Sequence, residues 1–208
     1  MTEPIFRGVA AALVTLFDQS GELDAASTAK LAAELVGAGL AGVVVAGSTG
    51  EASALDRAER RSLVEAVRGA LPDGVAVIAG TGAASRRQAA ALTADAIGSG
   101  ADGVLVLSPP GSAGLAAYYE AVAEAAGGWP VLAYHYPVVS SPGITVDELV
   151  TLPVDGAKDS SGEAERLLDT LTRWDKPLYT GSAAMLSAAG PLGCAGAILA
   201  LANAEPEL

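Results

Sequence analysis

Short apolar runs rich in Val, Ile and Leu recur along the chain at 12–17, 42–47, 75–80, 103–107, 131–136, 154–158, 178–180 and 195–201. Segments rich in Ala, Leu, Glu and Arg with helical periodicity separate them. The repeat of roughly 20 to 30 residues is that of successive strand–helix units joined by short loops. The runs are continuous rather than alternating, as in strands of a parallel sheet covered on both faces. Several helix starts carry capping-box spacing, Ser85 with Gln88, Thr145 with Glu148 and Ser160 with Glu163, with Asp56 and Glu59 a weaker version. Eight strand candidates favour a (β/α)8 barrel over an open doubly wound sheet, although the seventh run is short. No linker-like segment interrupts the series, so residues 1–208 are expected to form one barrel domain. Beyond the eighth run only residues 203–208 remain, too few for an eighth helix, and the expected barrel is C-terminally short.

Composition narrows the partners. Half of the 208 residues are apolar (51%) and 17% are charged, enough material for one large core. A net charge of −12 leaves no basic patch, so nucleic acid is not an expected partner. The single cysteine, Cys194, excludes an internal disulfide and a multi-cysteine metal site, and reads as a small core residue. The single histidine, His135, has no carboxylate cluster beside it in sequence, so no metal is expected and it reads as a hydrogen-bonded wall residue. No apolar run approaches the about 18 residues of a membrane span, and the first residues lack a signal-peptide pattern. A cytoplasmic protein is the expectation.

The candidate chemistry lies beyond the carboxyl ends of the runs, where α/β folds bind ligands. There the sequence reads Gly47-Ser48-Thr49-Gly50-Glu51, Gly80-Thr81-Gly82, Ser108-Pro109-Pro110-Gly111, Tyr134-His135-Tyr136-Pro137, Lys158-Asp159-Ser160-Ser161-Gly162 and Gly181-Ser182. Lys158 is one of only three lysines. Left in water, it is an ordinary strand-end cation. Desolvated, its amine is freed to attack a carbonyl and form a Schiff base. An amine, a phenol and paired hydroxyls on one rim favour the second reading.

The Gly-Ser-Thr-Gly-Glu turn, the Tyr134–Pro137 segment and the Lys158–Gly162 segment resemble the dihydrodipicolinate synthase / N-acetylneuraminate lyase family, class I Schiff-base aldolases and lyases on a (β/α)8 barrel. Residues 12–17 and 78–82 also resemble family segments, so the similarity spans the chain in order. The resemblance implies that Lys158 forms an imine with pyruvate or a related 2-oxo acid. It makes Tyr134 the acid/base, with Thr49 linked to it. Ser48 and Thr49 would hold the substrate carboxylate and Glu51 would be a structural tie, while Gly181 and Ser182 join the candidate substrate site by their place on the rim after the seventh run. The resemblance implies no cofactor beyond the covalent imine, an aldehyde as second substrate, a homotetramer or homodimer, and C-terminal helices for which no counterpart is expected in residues 1–208.

Two departures narrow the expectation. The family's synthases carry Pro-Tyr-Tyr after the fourth strand, where this chain has Pro109-Pro110-Gly111 and a loop to Leu115 that looks shortened; Tyr118 and Tyr119, further on, read as packing residues. The arginine that follows the Tyr-x-x-Pro segment in synthases is absent from Val138-Val139-Ser140-Ser141-Pro142. Both favour an aldolase or lyase over dihydrodipicolinate synthase proper. A non-catalytic 2-oxo-acid binder is the other reading. A third, a nucleotide-binding enzyme, would use Gly80-Thr81-Gly82-Ala83-Ala84-Ser85 with Asp102, an imperfect dinucleotide fingerprint.

Overall fold

The computed structural model describes residues 2–111 and 114–207. Eight parallel strands close into a barrel in sequence order: β1 (Gly8–Ala12), β2 (Gly42–Val45), β3 (Ala76–Gly80), β4 (Gly103–Leu107), β5 (Val131–His135), β6 (Gly156–Asp159), β7 (Leu178–Thr180) and β8 (Gly196–Leu199). The pairing of β8 with β1 rules out an open sheet. Each of the first seven strands is followed by a helix: α1 (Ala25–Gly37), α2 (Arg57–Ala70), α3 (Arg86–Gly98), α4 (Leu115–Ala126), α5 (Val146–Leu149), α6 (Ala164–Arg173) and α7 (Leu186–Leu192). After β8 the described residues form a 3-10 turn, Leu201–Asn203, and no α-helix. The (β/α)8 architecture is thus the one the run count predicts. Among the described residues no helix is long and apolar enough to cross a membrane.

The continuous apolar runs resolve into two layers. Ala10, Ala12, Val44, Ile78, Leu105, Leu132, Tyr134, Tyr179 and Ile198 join Phe6 in a cluster inside the barrel. Their chain neighbours, among them Ala11, Val43, Val45, Val77, Val104, Val106, Ala133 and Leu178, pack outward in the layer shared with the helices. Strand geometry turns alternate side chains to opposite faces, and a barrel buries both. On β5 and β6 this puts Tyr134 and Lys158 inside while His135 and Asp159 face the helices.

One strand falls earlier than expected. β1 is Gly8–Ala12, not residues 12–17. The strand reads Gly-Val-Ala-Ala-Ala and carries little of the bulk that marks the other runs. Residues 13–17 instead climb onto the rim, where the Thr15 hydroxyl donates to Gly50 O at 2.7 Å and Leu16 N donates to Thr28 Oγ1 at 3.0 Å. Asn203 fastens this segment to the end of the chain by accepting from Val14 N and donating to Ala12 O.

The helix starts singled out by capping spacing in the sequence are capped as expected, with one exception. Asp56 and Thr145 form reciprocal capping boxes with Glu59 and Glu148, and Ser85 accepts from Gln88 N. Ser160 caps nothing: α6 begins at Ala164, and the Ser160 hydroxyl turns into the barrel. Asp102 of the fingerprint-like segment accepts from Val77 N (2.8 Å) and from Arg68 (3.0 Å), a tie between β3 and α2 that leaves it no ribose to read. Asp155 makes the same strand-start tie to Val131 N at 2.9 Å. Cys194 is buried, its thiol pushed up to about 11 chiefly by burial, which fits the core reading. Tyr118 and Tyr119 are buried in α4, with hydroxyls on the backbone of Ala83 and on Val106 O. The expected shortening of the loop from Pro109 to Leu115 runs across Ser112 and Ala113, which lie outside the described residues.

Candidate active site

Strand register sets the centre of the site. Tyr134 on β5 pairs with Lys158 on β6, which pairs with Tyr179 on β7. All three point into the barrel, and the first two open onto a cavity of about 350 Å3 at its C-terminal end. Ser48, Thr49, Tyr136, Val139, Ser160, Gly181 and Ala200 complete its lining.

Lys158 is 5% exposed, and burial pushes its ammonium down to about 8. Its Nζ lies 4.5 Å from the centroid of the Tyr134 ring. A ring face favours a cation, whereas desolvation acts against it and is the cause of the depressed value. The neighbouring carboxylate does not restore the charge, because Asp159 faces the other way. Its Oδ2 accepts from Arg166 Nε at 2.6 Å and its Oδ1 accepts from Ser161 N and Oγ. The alternation of the strand therefore separates a lysine from the acid beside it in sequence. About a tenth of the amine is neutral at pH 7 with such a midpoint.

The Tyr134 phenol is raised by burial, and the Ser160 hydroxyl opposes that rise. Tyr136 raises it further and the Ser48 side chain lowers it. Ser160 Oγ donates to Tyr134 Oη at 3.4 Å. The expected link from Thr49 to Tyr134 is not formed. Thr49 lines the same cavity, but the hydroxyls facing the phenol are those of Ser160 and Ser48. Ser160 is the residue sequence reasoning missed at this site. Its place two residues after Lys158, on the same face of the strand, was the available signal.

The turn after β2 is held in an unusual shape. Ala46 and Glu51 bracket it, both non-glycine residues at positive φ (50° and 53°), a conformation that costs about 1–2 kcal/mol each and clusters at ligand sites. A Cβ on Gly50 would lie 2.9 Å from Leu13 O, so the turn packs directly on the rim segment. Glu51 was expected to tie the turn down, but its side chain is exposed. The tie is Arg60 of α2. Its guanidinium donates to Gly80 O at 3.2 Å, to Leu55 O at 3.4 Å and to Ala52 O, and burial lowers its pKa. Three carbonyls on one half-buried guanidinium tie the segment that follows the Ser48–Thr49 turn to the end of β3.

Gly181 seats the lysine. A Cβ there would lie 2.8 Å from Lys158 Cε and overlap the Ser160 side chain. Ser182, expected beside it, does not line the cavity; its N–H donates to Thr180 Oγ1 at 3.2 Å and its side chain lies by Gly162. His135 faces outward, with Nδ1 accepting from Ile144 N at 3.0 Å and its pKa lowered by burial and then by Arg166. It is a hydrogen-bonded wall residue behind the site. Among the described residues no group of three His, Cys, Asp or Glu side chains could hold a metal ion.

Comparison with known proteins gives a consistent result. The family profile described as the dihydrodipicolinate synthetase family matches residues 5–208. A 4-hydroxy-tetrahydrodipicolinate synthase of Salinibacter ruber is 34% identical over 97% of this chain and 70% of its own length. Among solved structures, dihydrodipicolinate synthase from Bacillus anthracis superposes with a TM-score of 0.91 at 29% identity, covering 100% of this chain and 73% of that one. YagE of E. coli K12, solved in complex with pyruvate, gives a TM-score of 0.90 at 29% identity over 98% and 73% of the two chains. With the barrel, the strand-end motifs and the profile in agreement, the chain belongs to the dihydrodipicolinate synthetase family of lyases.

Proposed function

We propose that this protein makes or breaks a carbon–carbon bond between pyruvate, or a related 2-oxo acid, and an aldehyde, through an imine on Lys158. The observation that carries the reading is a buried amine, its pKa pushed down to about 8, sharing a cavity with a phenol. YagE, bound to pyruvate in its solved structure, supports the choice of 2-oxo acid.

The residues suit each step. The carboxylate of the 2-oxo acid sits on the N–H and hydroxyl groups of Ser48 and Thr49 in the turn after β2. Neutral Lys158 Nζ attacks the keto carbon, and the keto oxygen takes up a proton while the nitrogen loses one, with Tyr134 as the carrier. The carbinolamine hydroxyl leaves as water after a second protonation, giving the iminium. Loss of a C3 proton yields the enamine, whose C3 bonds to the aldehyde carbon as the aldehyde oxygen is protonated. Water then hydrolyses the new iminium, returning the keto product and the free amine. Cleavage runs these steps in reverse. The chain's own groups supply all of this without a cofactor.

Dihydrodipicolinate synthase proper is the second reading, favoured by the name of the Salinibacter ruber relative. Against it, the segment after Pro137 presents Val138 and Val139, and Val139 lines the cavity where a cation for a second carboxylate would help. Incubation with pyruvate and an aldehyde panel, with and without a carboxylate on the aldehyde, separates the readings. Turnover confined to neutral aldehydes supports the first, and turnover confined to a carboxylated aldehyde supports the second. A reduced pyruvate adduct on Lys158 with no turnover on any aldehyde would make the protein a 2-oxo-acid binder. Assembly as a homotetramer or homodimer belongs to the same proposal, and light scattering tests it.

A further inference from the structure

Ser160 is placed with unusual care for a residue in a turn. Its N–H donates to His135 O at 2.9 Å, which carries the β5–β6 ladder one step beyond the strand end. The next residue, Ser161, is anchored by N and Oγ to Asp159, itself paired with Arg166 in the wall. On the other side the space for the Ser160 side chain exists only because residue 181 is glycine. The hydroxyl so held meets Tyr134 Oη at 3.4 Å, inside the cavity, and does not cap the helix that follows.

From this geometry we infer that Ser160 is a positioning residue for the Tyr134 acid/base, holding the phenol oxygen by a donated hydrogen bond so that the phenolic proton faces the cavity. The inference rests on the proposed imine chemistry for its use, and on the contacts above for its geometry. When Tyr134 gives its proton to the substrate oxygen, the Ser160 O–H remains on the phenolate oxygen and stabilises the charge. When Tyr134 recovers a proton from the substrate or from water, the same bond returns to its resting state. No proton is created or lost at Ser160. Ser160 is partly exposed, so water at the cavity mouth reaches the pair. A hydroxyl two residues along the chain from the lysine thereby couples the position of the imine nitrogen to the direction of the phenol.

The test compares Ser160→Ala, Ser160→Thr and Ser161→Ala in the full chain. Tyrosine labelled with carbon-13 at Cζ reports the phenols, and the Tyr134 resonance is assigned by its loss in Tyr134→Phe. Removing a donor from the phenolate raises the Tyr134 titration midpoint by about one pH unit in Ser160→Ala, as expected for one hydrogen bond to a charged group. Threonine restores it, and Ser161→Ala leaves it where the wild type has it while lowering Tm through the weakened turn. Borohydride trapping of the pyruvate adduct is slowed roughly tenfold in Ser160→Ala and recovers in Ser160→Thr. A Tyr134 titration unchanged in Ser160→Ala, or shifted equally in Ser161→Ala, overturns the inference. If the wild type forms no adduct at all, the proposed function fails, and the titration still decides the role of Ser160 separately.

Discussion

Two phenols flank Lys158 in the same register row, and they do different work. Tyr179 on β7 is fully buried and reaches down the barrel. Its ring stacks on Phe6 with centroids 4.6 Å apart, and its hydroxyl donates to Phe6 O at 3.0 Å and accepts from Phe6 N at 3.4 Å. Tyr134 on β5 reaches up. Its ring stacks on Tyr136 at 5.7 Å, and its hydroxyl opens onto the cavity with Ser160 and Ser48 as neighbours. Burial raises the pKa of both. Burial alone is therefore not what distinguishes a reactive phenol. The difference lies in partners: backbone groups occupy one hydroxyl at the floor, whereas side-chain hydroxyls neighbour the other at the rim, an arrangement that suits the proton transfer proposed for it.

Phenylalanine substitutions break this comparison most sharply. Tyr134→Phe is expected to slow pyruvate imine formation about 1,000-fold, within the usual range for loss of a general acid/base, with little change in Tm. Stopped-flow trapping measures the first and thermal unfolding the second. Next in size, Gly181→Ala is expected to slow imine formation about 100-fold, because the new methyl group displaces Lys158 Cε and Ser160 together. Displacing Ser160 also takes a hydrogen-bond donor from Tyr134, so the Tyr134 Cζ titration in that variant should move upward as it does in Ser160→Ala.

The lysine itself supplies a pH test. Its folded pKa, about 8, lies below the unfolded value near 10.5. Between those values the unfolded chain binds more protons than the folded one, so stability rises with pH across that window. Below about pH 8 the full cost of the buried ammonium is present, on the order of 3 kcal/mol as an upper figure. Lys158→Met is thus expected to raise Tm at pH 7 and to lose most of that advantage by pH 10. Imine formation in the wild type should accelerate as pH rises through about 8. The smallest effect belongs to the floor: Tyr179→Phe should cost about 1–2 kcal/mol of stability and leave imine formation unchanged.

Much of this was legible in the sequence because strand ends in a barrel converge on one rim. Once β5 and β6 are neighbours, Tyr134 and Lys158 meet by register alone. β1 lies outside the expected run because bulky apolar residues mark a strand in sequence, and Ala10 and Ala12 line the barrel with almost no bulk. Ser160 was misread for a related reason. A hydroxyl three residues before a glutamate is a capping signal in local sequence, and only the tertiary position of Tyr134 shows a better partner. Arg60 could not be singled out among nine arginines, because a guanidinium that binds three carbonyls has no sequence spacing of its own. Ser182 was assigned to the site from its place after β7, but the side chain beyond Thr180 turns away toward Gly162.

The most direct test of the account is peptide mapping of the protein after incubation with pyruvate and borohydride. One modified peptide is expected, carrying a 1-carboxyethyl group on Lys158 and absent from Lys158→Ala. Modification spread over Lys30 and Lys176, or none at Lys158 at a pH above its midpoint, would contradict it.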